Sequence, residues 1–150
     1  MATPHKSTST VQGEVEVAML EILSSTLGRP LEKRSVAYHG AKMEIDGVDV
    51  DETVFVEAFA RLGTFKSGQR RKVATDILKF VALQSDQPGA RFILAFVDDQ
   101  AKASVVGWVQ AVVEHHGIEL TVVDIPEDLR KKLEAAQVDQ KAGMETAGGS

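Results

Sequence analysis

Residues 92–97 read FILAFV and residues 119–125 read ELTVVDI. Continuous apolar runs of this length are typical of strands covered on both faces. Between them, Val105, Val106, Trp108, Val109, Val112 and Val113 precede Gly117, which predicts a helix over Gln100–His116 with Trp108 in the core. Strand, helix and strand in that order form a parallel crossover unit, and this constrains the second half of the chain to an α/β layer structure. Pro126–Ala136 adds a last helix, with Pro126 in its first turn.

The first half has a different rhythm. Val15, Val17, Met19, Leu20, Ile22, Leu23 and Leu27 predict a helix over 14–27, stopped by Gly28 and Pro30. A weak strand at 33–39 follows. At 42–46, Lys42, Glu44 and Asp46 alternate with Met43 and Ile45. GVDVDET is a turn, 54–60 a strand, LGTFKSG a loop and 69–83 a strong helix with Val73, Ile77, Leu78, Phe80 and Val81 on its apolar side. A three-strand meander followed by alternating helices and strands predicts a mixed central sheet flanked by helices. Residues 1–13 and 140–150 read as disordered tails, leaving one α/β domain at 14–139.

Composition narrows the function classes. The chain has 150 residues, enough for one domain with a real core. Cysteine is absent, so thiolate catalysis and cysteine-ligated zinc are excluded, and a cytoplasmic location is expected. No apolar run approaches the ~18–20 residues of a membrane span, and MATPHKSTSTVQG lacks the hydrophobic core of a signal peptide. The net charge is −5. Against that background, 61–80 carries Arg61, Lys66, Arg70, Arg71, Lys72 and Lys79 beside the single acid Asp76, a local reversal of sign.

The chemistry concentrates around VFVEAFARLG, residues 54–63. Strand periodicity puts Phe55, Glu57 and Phe59 on one face and Val54, Val56 and Ala58 on the other. A carboxylate flanked by two phenylalanines costs several kcal/mol unless it finds a partner. The preceding strand ends in Asp46; if the strands are neighbours, the two carboxylates come within reach of one metal ion. Mg²⁺ suits such a pair, being held by one or two carboxylates plus substrate phosphate. On the following helix, Gln69, Lys72, Asp76 and Lys79 fall in one polar stripe about 80° wide, taking ~100° per residue. The helix start at 67–69 offers free N–H groups to an anion.

Asp46 with Gly47, EAFA at 57–60, and the glutamine and lysine three apart at 69 and 72 resemble the PD-(D/E)XK nuclease superfamily, in particular a small bacterial branch of it. The resemblance covers 14–123. It implies a restriction-endonuclease-like α-β-β-β-α-β core and a Mg²⁺- or Mn²⁺-dependent nuclease that hydrolyses nucleic acid, DNA ahead of RNA. Asp46 and Glu57 would be the metal ligands, Glu21 the accessory acid from the first helix, and Gln69 and Lys72 the helix motif. Lys66, Arg70 and Arg71 would meet substrate phosphates. The chain departs from the pattern at Phe59, which stands where the motif lysine is expected; Lys72, or Lys66 from the loop, would have to replace it.

Other readings compete. Glu57 pairs with Arg61 or Lys72 at a sheet edge. Asp49 or Asp51 replaces Asp46 as ligand. Asp98, Asp99 and Asp124, at the carboxyl ends of the two apolar strands, line a small-molecule crevice. A catalytically degenerate domain of the same fold serves as a protein-interaction module, as a homodimer or with a partner protein. His115 and His116 suit the negative end of a helix dipole better than a metal. No glycine-rich phosphate loop or nucleophile elbow is present.

Overall fold

In the computed structural model, which describes the backbone of residues 8–148 and the side chains of 8–140, the two apolar runs lie side by side. Leu94 stands beside Leu120, and Phe96 beside Val122, in parallel register. The elements are α1 (Thr8–Leu27), β1 (Glu32–Tyr38), β2 (Ala41–Val48), β3 (Val54–Phe59), α2 (Ser67–Asp86), β4 (Arg91–Phe96), α3 (Asp99–Lys102), α4 (Gly107–His115), β5 (Glu119–Val122) and α5 (Glu127–Gly148). The five strands form one mixed sheet in the order β1-β2-β3-β4-β5. The first two pairings are antiparallel and the last two parallel. A tight turn at His39–Gly40, both at positive φ, closes the first hairpin. The parallel step from β3 to β4 needs a long crossover, which α2 supplies.

β3 is the central strand, and all six of its residues are buried. Its two faces divide as strand periodicity predicts. Phe55 and Phe59 join Val73, Ile77 and Phe80 of α2. Val54, Val56 and Ala58 join Val15 and Met19 of α1 and Leu133 of α5. On the α2 side, Phe55 stacks on Phe92 and Phe59 on Phe96, both at 5.2 Å between ring centroids. Full burial of each ring is worth about 1.5–3 kcal/mol, so this aromatic layer is a main anchor of α2.

Several boundaries differ from the sequence reading. The helix expected over 100–116 is two pieces. Asp98 caps α3 by accepting from the Ala101 N–H at 2.7 Å; the chain leaves the helix at 103–106 and restarts at Gly107, whose φ is +65°. The break turns Trp108 outward, 76% exposed rather than in the core. At the N-terminal end, α1 begins inside the stretch expected as a tail, because Val11 continues the buried stripe of Val15, Met19 and Leu23, and Thr8 donates to the Ala136 carbonyl of α5 at 3.2 Å. Helix α5 likewise runs on through 140–148. Residues 1–7 and 149–150, the rest of the two expected tails, lie outside the described residues.

One irregularity sits beside the candidate site. β1 pairs Glu32 with Val48 and Arg34 with Ile45, which leaves Asp46 and Gly47 of β2 opposite Lys33 alone. This is a β-bulge, a feature that re-aims a side chain and increases local twist. Gly47 leaves room for Leu20: a Cβ there would stand 2.7 Å from Leu20 Cδ2 and 3.4 Å from Leu31 Cβ, so the Leu20 side chain would have to swing aside.

Asp49 secures the turn between β2 and β3. It is buried, accepts from the Thr53 and Val54 N–H groups at 2.7 and 2.9 Å and from the Thr53 hydroxyl, and pairs with Arg29 at 3.1 Å. Burial alone would raise its pKa; the hydrogen bonds from Thr53, Val54 and Arg29 outweigh it and hold the carboxyl down at about 2. Its folded value lies below the unfolded value of 3.8, so its contribution is present above pH ~4 and is lost as pH falls toward 2. Asp49→Ala is expected to cost about 2–4 kcal/mol, read by urea unfolding at pH 7, and to flatten the acid limb of the stability profile.

Candidate functional site

β2 and β3 pair through Gly47–Val56 and Val48–Phe55, and continuing that register brings Asp46 opposite Glu57. There the side chains take over from the ladder. The Ala58 N–H donates to Asp46 Oδ2 at 2.9 Å, and the Asp46 N–H donates to Glu57 Oε1 at 3.3 Å. Each carboxylate is thus fastened to the opposite strand, and the pair bridges the point where the two strands part.

Glu57 is 1% exposed on the central strand, between Phe55 and Phe59. The edge-strand reading therefore fails: Glu57 is not at an edge, and the Arg61 guanidinium instead donates to Gln140 at 3.3 Å. Burial first, then the negative charges of Asp46 and Asp76, push the Glu57 carboxyl up to about 9, while Lys79 and Lys72 pull it down. It holds a proton at neutral pH.

Helix α2 turns its polar stripe onto this pair. Lys72 Nζ stands 3.0 Å from Asp76 Oδ2 and 5.1 Å from the centroid of the Phe59 ring. The ammonium thus lies over Phe59, the position where the resemblance leads one to expect a lysine. Burial acts to lower the Lys72 pKa; attraction and hydrogen bonding to Asp76, then attraction to Asp46 and Glu57, outweigh it and raise it. Asp76 is 1% exposed. Its other oxygen meets Lys79 Nζ at 3.4 Å, and Lys79 donates to the Glu44 carbonyl of β2 at 2.9 Å.

The remaining expected residues scatter. Gln69 Oε1 accepts from the Lys66 N–H at 3.0 Å and caps α2 instead of reaching the carboxylates. Lys66 and Arg71 are exposed on the same end of the helix. Arg70 donates through Nε to the Phe65 carbonyl at 3.1 Å, bracing the loop. Arg61, Lys66, Gln69 and Gln137 line a cavity of about 850 Å³ between this loop and α5.

Glu21 is exposed on α1 and lines a different groove with Leu20 and Lys33. The acid of α1 that faces the site is Glu16. It lies one turn before Leu20, the side chain that covers Gly47. Burial and Asp46 raise the Glu16 pKa, and Lys72 and Lys33 oppose them. Glu21 is five residues further on, about 140° around the helix at ~100° per residue.

Glu16, Asp76 and Lys79 were missing from the expected set. Asp76 and Lys79 were visible as members of the polar stripe. Glu16 had no signal until Leu20 was placed on Gly47.

The rival clusters have structural duties. Asp49 ties a turn, as described above. Asp98 accepts from the Gly63 N–H at 2.9 Å as well as capping α3, and Asp124 sits 3.6 Å from Arg130. His116 shares a 2.9 Å hydrogen bond with Gln84. Among the described residues, no three His, Asp or Glu side chains converge at metal-binding spacing. No family model, curated protein or solved structure matches the chain.

Glu57 carries a stability penalty that depends on pH. Its folded pKa of about 9 lies above the unfolded value of 4.5, so stability is full below pH ~4.5 and falls as pH rises toward 9, by at most about 1.4 kcal/mol per unit. Glu57→Gln removes that penalty. The variant is expected to match the native protein near pH 5 and to be more stable than it at pH 8, in parallel chemical-denaturation curves. A gain equal at both pH values would disprove the burial-driven shift.

Proposed function

We propose that this chain is a minimal metal-dependent phosphodiester hydrolase of the PD-(D/E)XK type, acting on nucleic acid, with a restriction-endonuclease-like α-β-β-β-α-β core. The observation that carries the reading is the buried Glu57 clasped to Asp46 with the Lys72 ammonium over Phe59. The element order and the mixed sheet agree with it.

The donor set fits Mg²⁺ or Mn²⁺. Asp46 and Glu57 offer hard carboxylate oxygens, and each carboxylate uses one oxygen on a main-chain N–H, leaving Asp46 Oδ1 and Glu57 Oε2 to hold a cation. Two protein carboxylates, with water and substrate oxygens completing the shell, are the usual way Mg²⁺ is bound. The crowding that keeps Glu57 protonated is relieved when a dication takes the proton's place. When bound, the metal supplies Lewis-acid polarisation of a phosphodiester oxygen and a water of lowered pKa.

The chain's own residues do the rest. Lys72 brings positive charge to where a phosphodiester gains negative charge on the way to cleavage, the kind of preorganised stabilisation that dominates such reactions. Its side chain is 55% exposed and so remains open to a ligand. Phe55 and Phe59 keep water from the inner side of Glu57 and hold its carboxylate in one orientation. Arg61 and Lys66, beside the 850 Å³ cavity, and the exposed Arg71 offer charge to the phosphates that flank the scissile bond. DNA is the expected substrate, and a homodimer or partner the expected means of gripping a duplex.

A second reading is a degenerate domain of the same fold that binds a protein. Two observations favour it: Lys72 is already paired with Asp76, and only two carboxylates form the clasp.

Purified protein with Mg²⁺ or Mn²⁺ is expected to cleave single- or double-stranded nucleic acid and to stop when the metal is chelated. Asp46→Asn and Glu57→Gln are expected to fall to background, and Lys72→Met to lose about 10²–10³-fold in rate. Native protein inert on DNA and RNA with both metals would favour the binding module, and cleavage that survives Glu57→Gln would place the activity elsewhere.

A further inference from the structure

Asp76 belongs to the polar stripe of α2 yet is buried, as are Val73 and Ile77 on the same helix, whereas an ordinary surface ion pair would leave the carboxylate in water. Each of its oxygens is committed to a different lysine, Oδ2 to Lys72 at 3.0 Å and Oδ1 to Lys79 at 3.4 Å. The two lysines are not equivalent. Lys79 is further tied to the Glu44 carbonyl at 2.9 Å and fixes the helix to β2. Among the described residues Lys72 makes no second hydrogen bond, and its ammonium lies over Phe59. Without Asp76, nothing on α2 would keep a long, flexible, half-exposed side chain there, because Phe59 provides only a cation–π contact of modest strength.

We propose that Asp76 is a positioning residue: it holds the Lys72 ammonium over Phe59 and so supplies, from helix α2, the positive charge that the strand of Glu57 lacks. The proposal rests on the hydrolase reading for what that charge is used for. It rests on geometry alone for the positioning itself. Lys79 occupies the other Asp76 oxygen and ties α2 to β2; the Oδ2 contact alone orients Lys72.

The test compares Asp76→Asn, Lys79→Met, Lys72→Met and the Asp76→Asn/Lys72→Met double variant in the full chain. The mobility of the Lys72 ammonium is followed by lysine-selective NMR, and cleavage is followed with Mg²⁺ or Mn²⁺. In the native protein the Lys72 ammonium is expected to be ordered; in Asp76→Asn it is expected to become mobile. The rate constant kcat is expected to drop about 10- to 100-fold with KM within about twofold, and the double variant to be no slower than Lys72→Met alone. Lys79→Met is expected to leave Lys72 ordered.

A freely mobile Lys72 in the native protein overturns the proposal without any variant, even if Asp76→Asn fails to fold. So does a Lys72 equally ordered in Asp76→Asn, or a Lys79→Met variant that reproduces every effect of Asp76→Asn. Native protein that cleaves nothing sinks the hydrolase reading, and the Lys72 ammonium then decides the positioning role by itself.

Discussion

A carboxylic acid sealed into the middle of a sheet costs several kcal/mol unless it is neutral or hydrogen-bonded, and around Glu57 both remedies are built from neighbouring elements. The proton it keeps at neutral pH removes the charge. The Asp46 N–H satisfies one oxygen. Neither remedy is local to the sequence of β3: one depends on the aromatic layer against α2, the other on β2 parting from β3 at the right residue. The fold and the site are therefore coupled. Loosening the Phe59–Phe96 stack would rehydrate Glu57, and moving the bulge by one residue would turn Asp46 away.

That bulge links three layers. By inserting Asp46 and Gly47 opposite Lys33, it ends the regular pairing of β2 with β3 and frees the Ala58 N–H for the Asp46 side chain. The missing side chain at Gly47 lets Leu20 of α1 approach, and that approach brings Glu16, one turn earlier, within the field of Asp46. On the other side of the sheet, Lys79 reaches the Glu44 carbonyl just before the bulge. Asp46 and Glu57 thus lie between two further acids, Glu16 of α1 acting on Asp46 and Asp76 of α2 acting on Glu57. Lys72 and Lys79 are the cations that make such a gathering affordable.

Much of this was legible in the sequence. The run at 92–97 announced a covered parallel strand, alternation assigned the faces of β3, and Asp46, Glu57 and Lys72 were singled out as neighbours. The strand at 119–125, expected to be covered on both faces, is instead the sheet edge, and none of the four residues of β5 is buried. What failed had physical causes. The split of α3 from α4 depends on Asp98 capping a short turn and on Gly107 at positive φ, whereas the valines on both sides suit one amphipathic helix. The choice of Glu21 over Glu16 turned on which side of α1 meets β2. Periodicity along α1 cannot report that, because the apolar positions surround much of the helix; only the Leu20–Gly47 approach does. Gln69 has the right spacing for the site, but a side chain at the first turn of a helix also has unsatisfied N–H groups beside it, and capping won.

A cation reaching Phe59 from α2 is physically unlike a lysine placed at position 59 itself. At position 59 the side chain is enclosed by Phe65 and Phe96, a setting that would strip water from an ammonium and depress its pKa. On α2 the Lys72 side chain is 55% exposed and its amine is flanked by Asp76, so it stays charged. The ring then serves two ends: it seals the inner side of Glu57, and it gives the cation a surface to rest on. Such an arrangement separates two tasks that one lysine would combine. Desolvation is concentrated on Glu57, which answers it by keeping its proton, while the permanent cation of Lys72 remains at the solvent boundary.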